Sequence, residues 1–182
     1  MPSFLFYRTI NYYFLYYIVV MIQAITETAI DAQVQTEDNR INTSASSSEI
    51  THLWKFTNDM DGSVHYSYPF TEQINERYTK TSFDYNATPN TFTGKVDLKP
   101  AGYWKYEVYE VYFGGGVPET LDERIAPATE DQVLANGGAV PANPDGVVQG
   151  LVTKGKMYMA EKEGTEEVSY LQSGKVLESV AI

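Results

Sequence analysis

An eleven-residue run of alternating side chains, YWKYEVYEVYF at 103–113, constrains the fold more than any other stretch of the chain. Its period of two is that of a β-strand, and PAG at 100–102 and GGG at 114–116 bound it at either end. Trp104, Tyr106 and Val108 share the more apolar face, so we expect them to be buried in the central strand of a sandwich. Tyr103 and Tyr109 point to the other face, where they remain available to a partner.

Other short alternating segments begin at residue 50. The first two, EITHLWKFTND and SVHYSYPF, flank NDMDG at 58–62, whose Asn, Asp and Gly residues are typical of a tight turn. A hairpin centred on Met60 would pair Trp54 with Tyr66 and Phe56 with Val64. Further strand patterns are ERYTKTSFDY, KVDLK, GLVTKGKMYMAEK and a C-terminal hairpin around QSGK. Seven or eight such strands predict an all-β fold, an antiparallel β-sandwich that is Ig-like or jelly-roll-like.

Composition divides the chain into three parts. Residues 1–22 form an apolar segment, residues 23–49 are polar and predict an irregular arm, and residues 50–182 carry the sandwich. Within the arm, AITETAIDAQVQ at 24–35 is either a short helix or an extended strand, because its apolar spacing fits both. Within the sandwich, residues 114–150 are rich in Gly, Pro, Asn and Asp. Because a connection of this length is unusual in a compact domain, we expect it to be an interaction loop.

The apolar segment at 1–22 has three interpretations that the sequence leaves open. The first interpretation is a signal peptide or membrane anchor, although Arg8 and Asn11 would then lie inside any apolar segment long enough to cross a membrane. The second interpretation is a strand or helix that packs against the rest of the protein or against a partner. Alternatively, translation begins at Met21, and the upstream residues are read from AT-rich DNA. Membrane association therefore stays open.

Charge and cysteine content exclude several classes of function. The chain has a net charge of −11, and all 24 acidic residues follow position 26. Such a surface repels phosphate backbones, so we expect no nucleic-acid partner, while it favours solubility and contact with a basic partner. The absence of cysteine excludes disulfides, thiolate metal sites and a cysteine nucleophile.

No residue pattern indicates catalysis, a cofactor or a metal site. His52 and His65 lack ligand spacing, and we interpret them as strand side chains that face water. NDMDG superficially resembles a calcium loop but lacks the glutamate at the twelfth position. Glu107 and Glu110 lie on opposite faces of the predicted strand, which makes them a poor catalytic pair. We expect a protein that is not an enzyme.

Four short motifs occur in an order that is similar to a known group of proteins. They are FTND at 56–59, ERY at 76–78, GYWKYEVYE at 102–110 and GKM at 155–157. In this respect the chain resembles small virion proteins of tailed phages and related viruses that infect marine and gut Bacteroidetes-type bacteria. The match covers roughly 110 residues, and it departs from the pattern before residue 50 and in the 114–150 loop.

The resemblance implies a structural virion protein with a β-sandwich, and from it we expect a minor capsid or capsid-decoration protein. It would be an oligomer within an assembly, with the major capsid protein or neighbouring copies as partners. A tail or neck protein is one alternative, and a membrane-anchored or secreted binding module is another. The candidate subunit contacts, chosen from the outer strand face and the loop, are Tyr103, Tyr109, Leu121, Ile125, Val133 and Leu134.

Overall fold

A computed structural model describes residues 21–134 and 145–163, and β-strands dominate both ranges. Two single turns of 3₁₀ helix, Glu37–Asn39 and Ser47–Glu49, interrupt them. The described strands are β1 (Ile22–Ile25), β2 (Ile30–Val34), β3 (Ile50–Asn58), β4 (Val64–Ser67), β5 (Thr71–Ile74), β6 (Thr79–Tyr85), β7 (Lys95–Val96), β8 (Gly102–Tyr112) and β9 (Val147–Ala160).

The strands form two sheets that pack face to face. Sheet A has the order β1-β9-β8-β3-β4, and sheet B has the order β2-β6-β5, with the short β7 paired to β6. The predicted β-sandwich is therefore confirmed, and the alternating run is its central strand, β8. The pairing is not antiparallel throughout, since β1 runs parallel to β9 and β7 runs parallel to β6.

Aromatic side chains fill the space between the sheets. Trp54, Trp104 and Val108 have no exposed surface, and Tyr106 is buried, as the alternation predicted. The Trp54 ring lies 5.3 Å from the ring of Phe83 in an edge-on contact, which joins sheet A to sheet B. Edge-on aromatic pairs add about 0.5–1.5 kcal/mol to the stabilisation from buried area. We call this cluster the first core.

The predicted arm at 23–49 is not irregular in its first part, where the structure has the extended alternative rather than a helix. Strands β1 and β2 supply one strand to each sheet, and their alternate residues Ile22, Ala24, Ile30, Ala32 and Val34 are buried in the first core. Both strands are short, and two of their buried residues are alanines. The segment therefore contains few large apolar side chains, and polar residues dominate its composition. The sandwich therefore begins at β1 rather than at residue 50.

The register predicted for the first hairpin is wrong by one residue. Trp54 pairs with Ser67, and Phe56 pairs with His65. The cause is the turn, in which the Asn58 N–H donates to the Ser63 carbonyl at 2.9 Å and Gly62 takes a φ of 73°. A shift of one residue exchanges the faces of a strand. Tyr66 therefore joins Lys55 on the outer face of sheet A.

The part of the long loop that the structure describes packs onto the outer face of sheet A. Ala126 is buried there against Leu53, Tyr68, Val111 and Phe113. We call this cluster the second core. The Tyr68 hydroxyl donates to the Pro127 carbonyl at 2.8 Å, which fixes the loop to the residue that follows β4. Sheet A is consequently covered by sheet B on one face and by residues 117–127 on part of the other.

Two predictions fall outside the described residues, namely the three interpretations of the N-terminal segment up to residue 20 and the C-terminal hairpin around QSGK. Among the residues that are described, no helix has the length and apolar character needed to cross a membrane.

Candidate contact surface

The outer face of sheet A is open at the end that the loop does not reach. Tyr103 on β8 and Tyr158 on β9 are cross-strand partners there, with ring centroids 5.1 Å apart and planes inclined at 55°. They are 54% and 38% exposed, and Met60 in the neighbouring turn is 73% exposed. These three side chains form an exposed aromatic and apolar group at one end of sheet A. We call it the tyrosine patch.

Lysines adjoin the tyrosine patch. Lys105 and Lys156 are directly opposite each other on β8 and β9, and Lys154 follows on the same face. Lys105 pairs with Asp59 at 2.9 Å, whereas within the described part of the chain no carboxylate forms an ion pair with Lys154 or Lys156. Like charges directly opposite each other in a sheet are destabilising. Lys105 lies beside Asp59 and Lys154 lies opposite Glu107, so charges of both signs occur at this end of the face, and Lys156 adds a further positive charge.

The loop covers the other end of the same face, and the solvent-exposed side of the loop carries acidic side chains. Glu119, Glu123 and Asp131 are exposed, and none of them forms an ion pair with another described residue. Asp122 differs, because Arg124 donates to its carboxylate at 2.6 Å. The exposed side of the loop is therefore acidic.

Glu130 fixes the loop to the middle of this face. Its carboxylate accepts hydrogen bonds from Lys55 at 2.5 Å and from the Tyr66 hydroxyl, and Lys55 also pairs with Glu107 at 3.5 Å. Burial and the hydrogen bond to Glu130 raise the pKa of Tyr66 to about 12. Burial alone would raise the pKa of Glu130, but the hydrogen bonds from Lys55 and Tyr66 outweigh it and lower that pKa. The contact is thus a charged carboxylate held by two donors.

The six candidate contact residues all lie on the outer side of sheet A or in its loop, but they differ in exposure. Tyr103 belongs to the tyrosine patch, and Val133 is 90% exposed. Tyr109 and Leu121 are partly buried against the second core, so the fold itself uses part of their surface. Ile125 and Leu134 are half-buried in the loop. Sequence reasoning missed Tyr158 and the lysines, although their alternation with Met157 and Met159 on β9 contained the signal.

The interpretation of His52 as a residue facing water is wrong. It is 2% exposed, and its Nδ1 lies 2.8 Å from a carboxylate oxygen of Glu72, whose other oxygen accepts from Thr51 at 2.8 Å. His52 shares the inward face of β3 with Trp54, which was the available signal. Glu72 comes from sheet B, so this contact joins the two sheets. Clefts of about 360 and 430 Å³ adjoin it, and both are lined by Thr51 and Glu72.

Glu110 is a second buried carboxylate, opposite His52 in the register of β3 and β8. It is 1% exposed and accepts backbone N–H groups from Ile41 at 3.0 Å and Asn42 at 2.8 Å. Glu107 lies half-exposed on the other face, so the prediction that the two carboxylates are separated is confirmed. The role of Glu110 is to hold the chain segment between β2 and β3.

The NDMDG segment is a turn whose side chains bond its own backbone. Asn58 Oδ1 accepts from the Met60 N–H at 2.7 Å, and Asp61 Oδ1 accepts from the Ser63 N–H at 2.8 Å. The side chains of Asn58 and Asp61 therefore stabilise a tight turn, as predicted for this segment. Within the described ranges, no group of three His, Asp or Glu side chains could hold a metal ion.

Comparisons with protein-family models, with curated proteins and with solved structures find no match to this chain.

Proposed function

We propose that the protein is a non-enzymatic structural protein of a virus particle, specifically a minor capsid or capsid-decoration protein that acts through contacts between subunits. The observation that carries this proposal is the tyrosine patch of Met60, Tyr103 and Tyr158 on the rigid outer face of sheet A. Tyr and Met are enriched in protein interfaces, and charged groups commonly surround such a centre. The setting in a virus particle comes only from the resemblance that the FTND, ERY, GYWKYEVYE and GKM segments suggested in the sequence, and it stays a prediction.

The mechanism proposed is attachment without chemistry. Central strand β8 carries Trp104 on its buried face and Tyr103 on its exposed face, so the aromatic core holds the contact residue in place. A contact surface that is already rigid loses little conformational entropy when it binds. The protein would then add to a particle, or join its subunits, without a change of fold.

Mass spectrometry of purified particles of the virus that encodes this chain tests the proposal. We expect peptides of the chain in intact, density-purified particles, at a fixed ratio to the major capsid protein. A cryo-EM map of the same particles would separate a capsid position from the alternative position in the tail or neck. Absence of the chain from intact particles, together with its presence in infected cells, would refute a structural role.

A carbohydrate-binding module, anchored or secreted, is the second candidate function, and the paired exposed tyrosines favour it. Sugar rings stack on aromatic faces, but Tyr103 and Tyr158 are inclined at 55° to each other and do not form one flat platform. A glycan array with the purified protein distinguishes the two functions. Binding to a defined glycan that Tyr103→Ala and Tyr158→Ala abolish would favour the module.

A further inference from the structure

The open edge of strand β5 is a second contact region, and we infer that it binds an extended segment of a partner protein. The segment would add to sheet B antiparallel to β5, with an arginine opposite Glu72 and a β-branched apolar residue opposite Ile74. Binding of this kind gains affinity from main-chain hydrogen bonds and specificity from pockets for alternate side chains. The region is separate from the tyrosine patch, and its use does not depend on the proposed function.

The backbone of β5 has a strand partner on one side. Among the described strands, β6 alone pairs with it. The Asn75 N–H donates to the Tyr78 carbonyl at 3.0 Å, and Gln73 follows two residues earlier in the same register. Because bonded pairs alternate along an antiparallel ladder, Gln73 bonds β6, whereas the N–H and C=O groups of Glu72 and Ile74 point to the open side. Such a row of groups is a template for another strand.

The open side of β5 faces a gap at the seam between the two sheets. Strand β4 stops pairing with β3 after Ser67, because the next bonded position, opposite His52, falls on Pro69, which has no N–H. The side chain of Glu72 crosses the gap to Thr51 and His52. The clefts of about 360 and 430 Å³ both adjoin this bridge, and each has the volume of an ordinary ligand site. We call the two clefts together the edge groove.

The cleft of about 360 Å³ suits a cation. It is lined by the carboxylates of Glu72 and Glu119 and by the rings of Phe70 and Phe92, and Phe70 is 61% exposed. Among the described residues, no lysine or arginine forms an ion pair with either carboxylate. Each oxygen of Glu72 already accepts one hydrogen bond and has room for a second. An arginine matches both features, because its planar guanidinium pairs with carboxylates and stacks on aromatic rings.

The cleft of about 430 Å³ has a more apolar and smaller lining, which includes Ile50, Ile74 and Val117 together with two serines. It suits a β-branched apolar side chain. Residues two apart on a strand lie on the same face about 7 Å from each other. One extended segment can therefore place a valine opposite Ile74 and an arginine opposite Glu72, where opposite charges directly across the strands stabilise the pair.

Binding of a short peptide of sequence SVTRTS, blocked at both ends and fluorescently labelled, to the purified full chain tests the inference. We expect a saturable rise in fluorescence anisotropy that requires more protein as the sodium chloride concentration increases. The same peptide with glutamate in place of its arginine should bind at least about fivefold more weakly, because an attraction becomes a repulsion.

Methylation of the peptide backbone distinguishes strand pairing from a purely electrostatic contact. Methyl groups on the amide nitrogens of its valine and arginine, which would point to β5, should abolish binding. Methyl groups on the two threonine amides, which would point away, should weaken it far less. In the protein, Ile74→Pro should also abolish binding, since it removes an N–H that faces the groove and breaks no bond to β6. Ile74→Val is the matched control and should bind as the original protein does.

Charge reversal in the loop tests the cation site. Glu119→Lys should weaken binding of SVTRTS by about fivefold or more. Glu123→Lys changes the net charge equally at an exposed position of the same loop that lines neither cleft, so it should have a much smaller effect. Circular dichroism confirms that each variant is folded before it is titrated.

The inference would be overturned by the absence of saturable binding or by equal binding of the two methylated peptides. A dimer of the chain alone that Ile74→Pro dissociates would also overturn it, because a second copy would then fill the edge groove. None of these outcomes bears on the virion role, which is tested by the presence of the chain in purified particles.

Discussion

Glu107 and Glu110 are three residues apart on β8, yet their surroundings differ completely. Glu107 is half-exposed beside Lys55, whereas Glu110 is buried and accepts the backbone N–H groups of Ile41 and Asn42. Hydrogen bonds to a charged group contribute about 1.5–3 kcal/mol, and a buried donor left without a partner adds a further cost. An exposed ion pair contributes about 0–1 kcal/mol.

We therefore predict that Glu110→Ala lowers the free energy of unfolding by about 1.5–3 kcal/mol, measured by urea denaturation. Glu107→Ala is the matched control and should lower it by less than about 1 kcal/mol. Hydrogen exchange should also become faster at Ile41 and Asn42 in the Glu110 variant. Equal effects of the two substitutions would show that the buried contacts of Glu110 contribute no more to stability than the exposed ion pair of Glu107.

At the scale of single residues, the sequence predicted burial correctly where large apolar side chains alternate strictly with polar ones. It predicted the burial of Trp104, Tyr106 and Val108 because each contrasts with a polar or exposed neighbour. It failed at His52, because the partner that makes burial of an imidazole acceptable is Glu72, twenty residues away on another sheet. Partners that are distant in sequence leave no local pattern.

Among the elements, β2 is one whose type the sequence left open between a short helix and a strand. Its residue Ala32 is 3% exposed in the first core, while the adjacent Gln33 is exposed on the other face of sheet B. We predict that Ala32→Asp destabilises the protein by about 3–5 kcal/mol, because it buries a charge without a partner. Gln33→Asp should change the stability little.

Thermal unfolding followed by circular dichroism compares the two variants. If residues 23–49 were a flexible arm, the two substitutions would have the same small effect, and that result would contradict the position of β2 in sheet B.

The loop over the second core should respond to acid through Glu130. Its pKa in the folded protein is lower than the ordinary value of 4.5, so its contribution to stability is complete above about pH 4.5 and is lost as the pH falls through the lowered value. We predict that stability declines less between about pH 6 and about pH 3 in Glu130→Gln than in the original protein.

Urea midpoints at the two pH values give that difference for each protein. Asp131→Asn serves as the control, since this neighbouring carboxylate is exposed and, among the described residues, accepts a side-chain hydrogen bond from Thr129 alone. The control should lose as much stability between the two pH values as the original protein does. If Glu130→Gln also loses that much, the contact of Glu130 with Lys55 and Tyr66 does not determine how the stability of the protein responds to acid.

For the molecule as a whole, the sequence predicted the fold class but not its layers. The count of strands and the apolar faces of β3 and β8 were enough for a sandwich. The register of the first hairpin depended on hydrogen bonds within the Asn58–Ser63 turn, which spacing alone does not reveal. The sequence also did not predict the second core, because the apolar residues around Ala126 in the loop have no regular spacing. The contact surface was visible at Tyr103 but not at Tyr158, since its extent depends on the pairing of β8 with β9.

The two cores should be separable, because the ends of β8 and β9 already meet. Tyr112 and Val147 are cross-strand partners, so a short glycine-containing turn could join Phe113 to Gly146 and replace the loop between them. The first core lies on the other face of sheet A and does not include the loop. We predict that the shortened protein still forms the sandwich, with near-native circular dichroism.

The shortened protein should nevertheless expose Leu53, Tyr68, Val111 and Phe113, each of which has at most 1% of its surface exposed in the intact molecule. Loss of burial costs about 1.5–3 kcal/mol for each such side chain that becomes fully exposed, so the midpoint of unfolding should fall and a hydrophobic dye should bind. Adding Leu53→Ser to the shortened chain should reduce dye binding without unfolding it. If the shortened chain fails to fold even with that substitution, the two clusters form one cooperative core, and the loop is part of the sandwich rather than a cover over its outer face.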